Sequence, residues 1–384
     1  MMRKRATRVK DRAREMLNDG DHISRLPDDV IHHIFSFIDT RFAVQSSLLS
    51  SRWINTWKSH PHLNFEIDHS ANHTSGFRFP NFVHRFLSAR DDNVEISTID
   101  FRSNSIRLPL LKEIIIYAMS HKTQKLNIEF LRGGHTRRGG FDISLFRSQF
   151  LQHLCLGIDF GVFITLTLTW DLPALTTLNL DGVTFTLDPH DGARGSVELF
   201  SCFSNLKTLV LVNCRFLNID QFVIMSNGLE SLTMIDLHHT DSFVISAPKL
   251  SSFTYNGMAR FSLLAKGLHS LETVNFHTFY HRSLQKQPEL VELMINTFHQ
   301  LFKAKFLTLN SDALKFLSEF PELLKRRRCP FMNLQSLTLV EHQLPISSIV
   351  FADVLTYFHS SSPDLTVNFE LDLAPVRVRC VDGH

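Results

Sequence analysis

The chain has 384 residues, 43% of them hydrophobic and 20% charged, with a formal net charge of +2. That length and composition describe a globular protein of two or so domains with ample material for a core. Near-neutral charge removes any global case for nucleic-acid or membrane-surface binding, and no apolar run approaches the roughly 20 residues of a membrane-spanning helix.

Residues 1–20, beginning MMRKRATRVKDRAR, are basic, poor in large apolar residues and expected to be a disordered tail without the apolar core of a secretory signal. Five cysteines with no C-x-x-C pair argue against a disulfide framework and for a reducing compartment, cytoplasmic or nuclear.

Residues 21–66 read as a compact unit of three short helices. In ISRLPDDVIHHIFSFI (23–38), Leu26-Pro27-Asp28-Asp29 is a helix start, because proline suits the first turn and early carboxylates favour the positive end of the dipole. Val30, Ile31, Ile34, Phe35, Phe37 and Ile38 then sweep an arc of roughly 160°, wider than the roughly 100° stripe of an ordinary surface helix. Such a face needs burial on more than one flank. Val44 and Leu48 stand one helical turn apart, as do Trp53 and Trp57, and Pro61 closes the last helix. About 45 residues bury little surface alone, so the unit is expected to lean on the chain beyond residue 66, on a partner, or on both.

From residue 67 onward, PNFVHRFLSARDDNVEISTIDF and LPLLKEIIIYAMSHKTQKLNIEF each read as helix, turn, strand. A hexapeptide then recurs: LQHLCL at Leu151, LTTLNL at Leu175, LKTLVL at Leu206, LESLTM at Leu229, LSSFTY at Leu250, LETVNF at Leu271 and LQSLTL at Leu334. The form L-x-x-L-x-L is the strand signature of a leucine-rich repeat, and AKFLTL (304–309) is a degenerate copy in the long gap before Leu334. LKTLVLVNCRF extends the template through Cys214 and Phe216, which makes Cys214 a buried turn residue rather than a nucleophile. Asp181-Gly182 suits a strand exit, and FGVFITLTLTW (160–170) reads as strand. The expected fold is therefore α/β, a three-helix unit followed by an irregular leucine-rich-repeat solenoid over 67–384 with atypical capping repeats.

The stretch 23–66 resembles the F-box of the plant-type F-box/leucine-rich-repeat family (F-box/RNI-like, FBD-like). The match runs through Leu26, Pro27, Asp28, Val30, Ile34, Phe35, Ala43, Val44, Leu48, Arg52, Trp53 and Trp57, and FMNLQSLTLVEHQLPISSIVFADVLTYFHSSSPDLTVNFEL (331–371) is similar to the family's carboxy-terminal repeats. Ser51, Ile54 and Thr56 depart from the family pattern. The resemblance implies docking on a Skp-type adaptor of a cullin–RING ubiquitin ligase and capture of a protein substrate by the repeats. Leu26, Pro27, Ile31, Ile34, Phe35 and Ile38 are the expected adaptor contacts, and Val30, Val44, Leu48, Trp53 and Trp57 the expected core of the F-box. Thr177, Asn179, Thr208, Val210, Ser231 and Thr233, lying between the inward leucines, are the expected substrate face.

No catalytic constellation accompanies this pattern. H-E-x-x-H, paired Cys/His zinc spacing and G-x-S-x-G are all missing from the sequence, so no cofactor, metal or reacting residue is expected. LRGGHTRRGGF (131–141) carries two Arg-Gly-Gly triplets, read as a surface loop, with an RNA-binding segment as the rival. LKRRRC (324–329) reads as a solvated helix end. Two functions remain from sequence: the substrate-recognition subunit of a Skp–cullin–F-box ligase, itself non-catalytic, or a repeat scaffold binding protein or RNA independently of ubiquitin.

Overall fold

A computed structural model describes residues 22–67, 75–103, 108–130, 139–141, 143–158, 162–165, 170–187, 195–238, 242–258, 260, 262–279, 287–341 and 352–371. The basic tail at 1–20 lies outside them. The fold is mixed α/β, divided into two compact units, Met1–Leu126 and Asn127–His384.

In the first unit a 3-10 turn at Ile23–Arg25 leads into α1 (Asp28–Ser36) and α2 (Thr40–Gln45). Pro27 holds the N-cap of α1, and Asp28 and Asp29 occupy its first turn. Asp39 caps α2, its Oδ1 accepting from the Arg41 N–H at 2.7 Å while its Oδ2 accepts from the Glu66 N–H at 3.0 Å. One side chain thus ends the loop, starts the helix and ties it to β1 (His62–Ile67).

The third helix expected from sequence is instead a run of 3-10 turns, Ser46–Leu48, Ser51–Ile54 and Thr56–Ser59. The Ser46 and Ser47 hydroxyls donate to the carbonyls of Ala43 and Val44 at 2.7 and 2.6 Å, competing for acceptors that a continuing helix uses. Ser50 then restarts the chain in extended conformation and accepts from the Arg52 N–H.

Both helix–turn–strand expectations are met, by α3 (Ser75–Ala89) with β2 (Thr98–Ser103) and by α4 (Leu108–Ser120) with β3 (Lys125–Phe130). β1 and β2 run parallel with Leu63 opposite Ile99 and Phe65 opposite Phe101, all four buried. The unit boundary falls inside β3.

In the second unit every L-x-x-L-x-L starts two residues ahead of a strand. These are β4 (His153–Gly157), β5 (Thr177–Asp181), β6 (Thr208–Val212), β7 (Ser231–Ile235), β8 (Ser252–Gly257) and β9 (Thr273–Thr278). The degenerate copy is β10 (Phe306–Asn310), followed by β11 (Ser336–Glu341) and β12 (Thr366–Leu371). The nine strands lie side by side in chain order, parallel throughout.

One hydrogen bond repeats along them: Thr208 N–H to Thr176 C=O, Ser231 to Lys207, Ser252 to Glu230 and Thr273 to Ser251, at 2.9–3.1 Å. At the other ends of three successive strands, Gly182, Asn213 and Asp236 stand in equivalent positions with φ of 73°, 51° and 49°. Glycine, asparagine and aspartate are the residues that tolerate this left-handed turn. Directly after it Cys214 is buried, donating to the carbonyls of Leu180 and Val212.

The segments between these strands are not even helices. Two four-stranded sheets form from Gly139–Phe141, Val162–Thr165, Thr184–Thr186 and Arg215–Leu217, and from Gly195–Glu198, Ile219–Met225, Ser242–Ser246 and Ser262–Lys266. The later segments are helical: α5 (Pro288–Gln300), α6 (Ser311–Ser318), α7 (Pro321–Arg326) and α8 (Ala352–His359).

Two local expectations are corrected here. Gly139–Phe141 is a short strand paired with Val162–Thr165, so this end of the Arg-Gly-Gly stretch is not loop; residues 131–138 lie outside the described residues. Cys155 is disulfide-bonded, for which the odd cysteine count gave no reason.

Candidate functional site

The wide apolar face of α1 is divided in two. Ile31 and Phe35, one turn apart, are 0% and 1% exposed and form a buried cluster with Ala43 and Trp53. Phe35 meets Trp53 edge to face at 5.7 Å and His60 at 5.6 Å. Val30, Ile34 and Phe37, at i, i+4 and i+7, make the adjoining stripe and stay exposed, Phe37 at 70%. Pro27, exposed, continues this stripe toward the helix start. Leu26 and Ile38 are partly buried against the cluster.

Of the six residues expected from sequence as adaptor contacts, two, Ile31 and Phe35, have no surface to offer in this chain. They set the position of the exposed stripe from beneath. The expected core is likewise revised: Trp53 is buried and Trp57 packs on the cluster, but Val30 is 38% and Leu48 89% exposed, and Val44 is half-buried. Leu48 ends a single 3-10 turn, where the i, i+4 spacing that pairs it with Val44 on an α-helix no longer applies.

Sequence reading missed Phe42, Leu49 and Ile54 as surface residues; they are 53%, 64% and 51% exposed. Only Phe37 carried a usable signal, its spacing from Ile34. Among the described residues, eight large apolar side chains between Ile23 and Ile54 are exposed, a density that no other stretch of comparable length reaches.

Polar contacts fix this surface in place. Arg52 reaches back to Asp28 at 2.9 Å and donates to the Ser24 carbonyl at 3.2 Å, tying the 3-10 turns to the start of α1. His32 Nε2 lies 3.1 Å from the Thr56 carbonyl. Behind them His60 is buried with neither ring nitrogen hydrogen-bonded, and burial, with His32, His62 and Arg90 nearby, lowers its pKa to about 3. Arg90, itself buried, donates to the His60 carbonyl at 2.7 Å and to Tyr117 Oη at 3.2 Å.

In the second unit the six residues read as a substrate face are brought together. Thr177, Thr208 and Ser231 stand in one row across β5, β6 and β7, and Asn179, Val210 and Thr233 in the next, all half-buried. The rows continue as Ser252 and Thr273, and as Thr254 and Asn275, where Asn275 Nδ2 donates to Thr254 Oγ1 at 3.1 Å. The leucines between them are fully buried. The rows carry no charge, so the face offers hydrogen bonds without electrostatic preference. No group of three or more metal-ligating side chains forms among the described residues.

Residues 23–65 match the F-box domain model. A putative F-box/FBD/LRR-repeat protein of Arabidopsis thaliana is 26% identical over 355 residues, covering 83% of this chain and 68% of the relative. A putative FBD-associated F-box protein of the same plant is 29% identical over 295 residues, covering 73% of this chain and 60% of the relative. A third, an F-box/LRR-repeat protein, is 26% identical over 293 residues, covering 75% and 86%.

Proposed function

With an F-box at residues 23–65 and similarity to plant F-box/LRR-repeat proteins along most of the chain, we propose that this protein docks on a Skp-type adaptor and serves as a subunit of a cullin–RING ubiquitin ligase. The observation that carries the reading is the exposed stripe Pro27–Val30–Ile34–Phe37 over the buried pair Ile31 and Phe35. An apolar stripe held rigidly by a core beneath it suits a helical partner, which removes it from water on binding. Leu26 and Ile38 flank it, and Phe42, Leu49 and Ile54 extend the apolar surface available.

The second unit is read as an irregular leucine-rich-repeat solenoid, supported by the strand spacing and the repeated register. Its rows from Thr177 and Asn179 onward are the surface we assign to a protein substrate. In this reading the chain itself transfers nothing. It raises the effective concentration of a bound substrate beside the catalytic subunits.

The test is calorimetric titration of purified chain with a Skp-type adaptor, comparing the parent with Phe37→Asp and Ile34→Asp. Binding at about micromolar Kd or tighter is expected in the parent, weakened at least ~30-fold in either variant, as hot-spot losses predict. Both positions are exposed, so thermal unfolding is expected to stay close to the parent's. No binding by a folded parent would overturn the proposal in favour of a repeat scaffold that works without the ubiquitin machinery.

A further inference from the structure

A cleft of about 450 Å³ opens in the first unit, lined by Val44, Trp57, Asn81, Phe82, Arg85 and Phe86. Its apolar part is a row of rings: Trp57 to Phe86 at 5.1 Å and Phe82 to Phe86 at 5.9 Å, tilted by only 32° and 33°. Phe86, 4% exposed, is the buried floor of this row, and the half-buried Trp57 and Phe82 are the rings with surface left for a flat apolar body to pack on. Asn81 and Arg85 are four residues apart on α3, hence on one side of the helix, and both are exposed.

Neither of these two side chains is tied down by a hydrogen bond or ion pair among the described residues. Other polar groups of this unit are: Arg52 on Asp28, Arg90 on His60 and Tyr117, and His84 on Glu113 at 2.8 Å. Among the described residues, no carboxylate lines the cleft. An untied guanidinium with an amide one turn away is a ready pair of donors for a carboxylate. The volume falls in the range of small-ligand sites and is far too small for a folded partner.

We propose that this cleft binds a small planar aromatic carboxylate, its ring system on Trp57 and Phe82 above the buried Phe86 and its carboxylate on Arg85 and Asn81. Val44 closes the apolar side. The proposal stands on the cleft alone and holds whether or not the chain docks on an adaptor.

The test is titration of the full chain with 2-naphthoate and with its uncharged counterpart 2-naphthamide, by calorimetry. Saturable one-to-one binding of the acid is expected, about tenfold or more tighter than the amide, because only the acid forms charge-assisted hydrogen bonds. Arg85→Gln is expected to erase that preference while leaving the thermal midpoint of the free protein in place, and Phe82→Ala to weaken acid and amide together. Absence of saturable binding, equal binding of acid and amide by the unaltered chain, or acid binding indifferent to both substitutions would each overturn the assignment. The acid–amide comparison decides the matter in the unaltered chain even if a variant folds poorly.

Discussion

The two units of this molecule solve burial in opposite ways. In the second, each repeat sends its leucines into a column shared with the strands on either side, so Leu178, Leu209, Leu232 and Phe253 are all fully buried and the solvent side is left to small polar residues. In the F-box, four buried side chains hold the turns together, and eight large apolar ones between Ile23 and Ile54 remain in water. A repeat array completes its core with its own next copy. A 43-residue helical motif has no next copy, and what it leaves uncovered is where another protein gains most by binding.

Removing one aromatic from each core tests this contrast most severely. Phe35→Ala and Phe216→Ala are each expected to cost ~3–5 kcal/mol, the usual range for a buried phenylalanine. Phe216 sits among Phe185, Phe222 and Phe243 at 5.4, 4.5 and 5.6 Å. Urea unfolding followed by tryptophan fluorescence and far-UV circular dichroism would check it. Loss of adaptor binding is expected with Phe35→Ala and not with Phe216→Ala. If both lost it equally, the two cores would not be independent.

Next in size is Asn310→Ala in β10. This side chain is 1% exposed, donates to the Thr278 carbonyl at 2.8 Å and accepts from the N–H groups of Thr278 and Ala313 at 3.1 Å each. It is at once a strand rivet and the N-cap of α6. A loss of ~2–3 kcal/mol in urea denaturation is expected from the cap plus two stranded backbone groups. A loss below about half a kcal/mol would mean that β10 is held by its leucines alone.

The pH response should come mainly from the first unit. His60 is neutral in the folded chain because its pKa falls to about 3, whereas in the unfolded chain it takes up a proton near its ordinary 6.5. The unfolded state therefore binds the extra proton, so this contribution is intact above pH 6.5 and is lost as pH falls from there toward 3. At pH 5 the loss from this one group is ~2 kcal/mol. His62, lowered in the same direction by burial, adds to it. Unfolding midpoints at pH 7 and 5 for the parent and His60→Leu would test this. An identical pH dependence in both would remove His60 as the source.

The smallest effect concerns Arg52 and Asp28, an ion pair with side chains 42% and 67% exposed. Arg52→Ala is expected to cost ~1 kcal/mol or less and to matter less as salt is raised. A larger, salt-insensitive loss would point instead to the Arg52 bond to the Ser24 carbonyl as the tie that fixes the start of α1.

How far the chain could be read without its structure differs between the same two units. The repeat strands were legible because periodicity two is a local property: each leucine pair predicts its own strand, and recurrence of the same hexapeptide predicts that the rows align despite uneven spacing. Thr177, Thr208 and Ser231 could therefore be named as neighbours from the sequence, and they are. Of the connecting segments, 160–170 read as strand and Val162–Thr165 is one, but the rest were not legible, since a strand at Thr184–Thr186 and a helix at Pro288–Gln300 fill the same place between successive strands.

In α1 the sequence determined that the helix forms, where it starts and that its apolar arc is too wide for one neighbour. It also determined that the later strands lie parallel and in order, because local pattern and repeat spacing suffice for both. Only the tertiary structure decided which half of the arc is core, because Ile31 and Ile34 are chemically alike and differ only in what Trp53 and Ala43 cover. It alone left Leu48 in solvent, and it alone set Trp57 against Phe86 to open the cleft beside Arg85. Burial is a property of distant pairs along the chain, and a residue's own type and its near neighbours do not carry it.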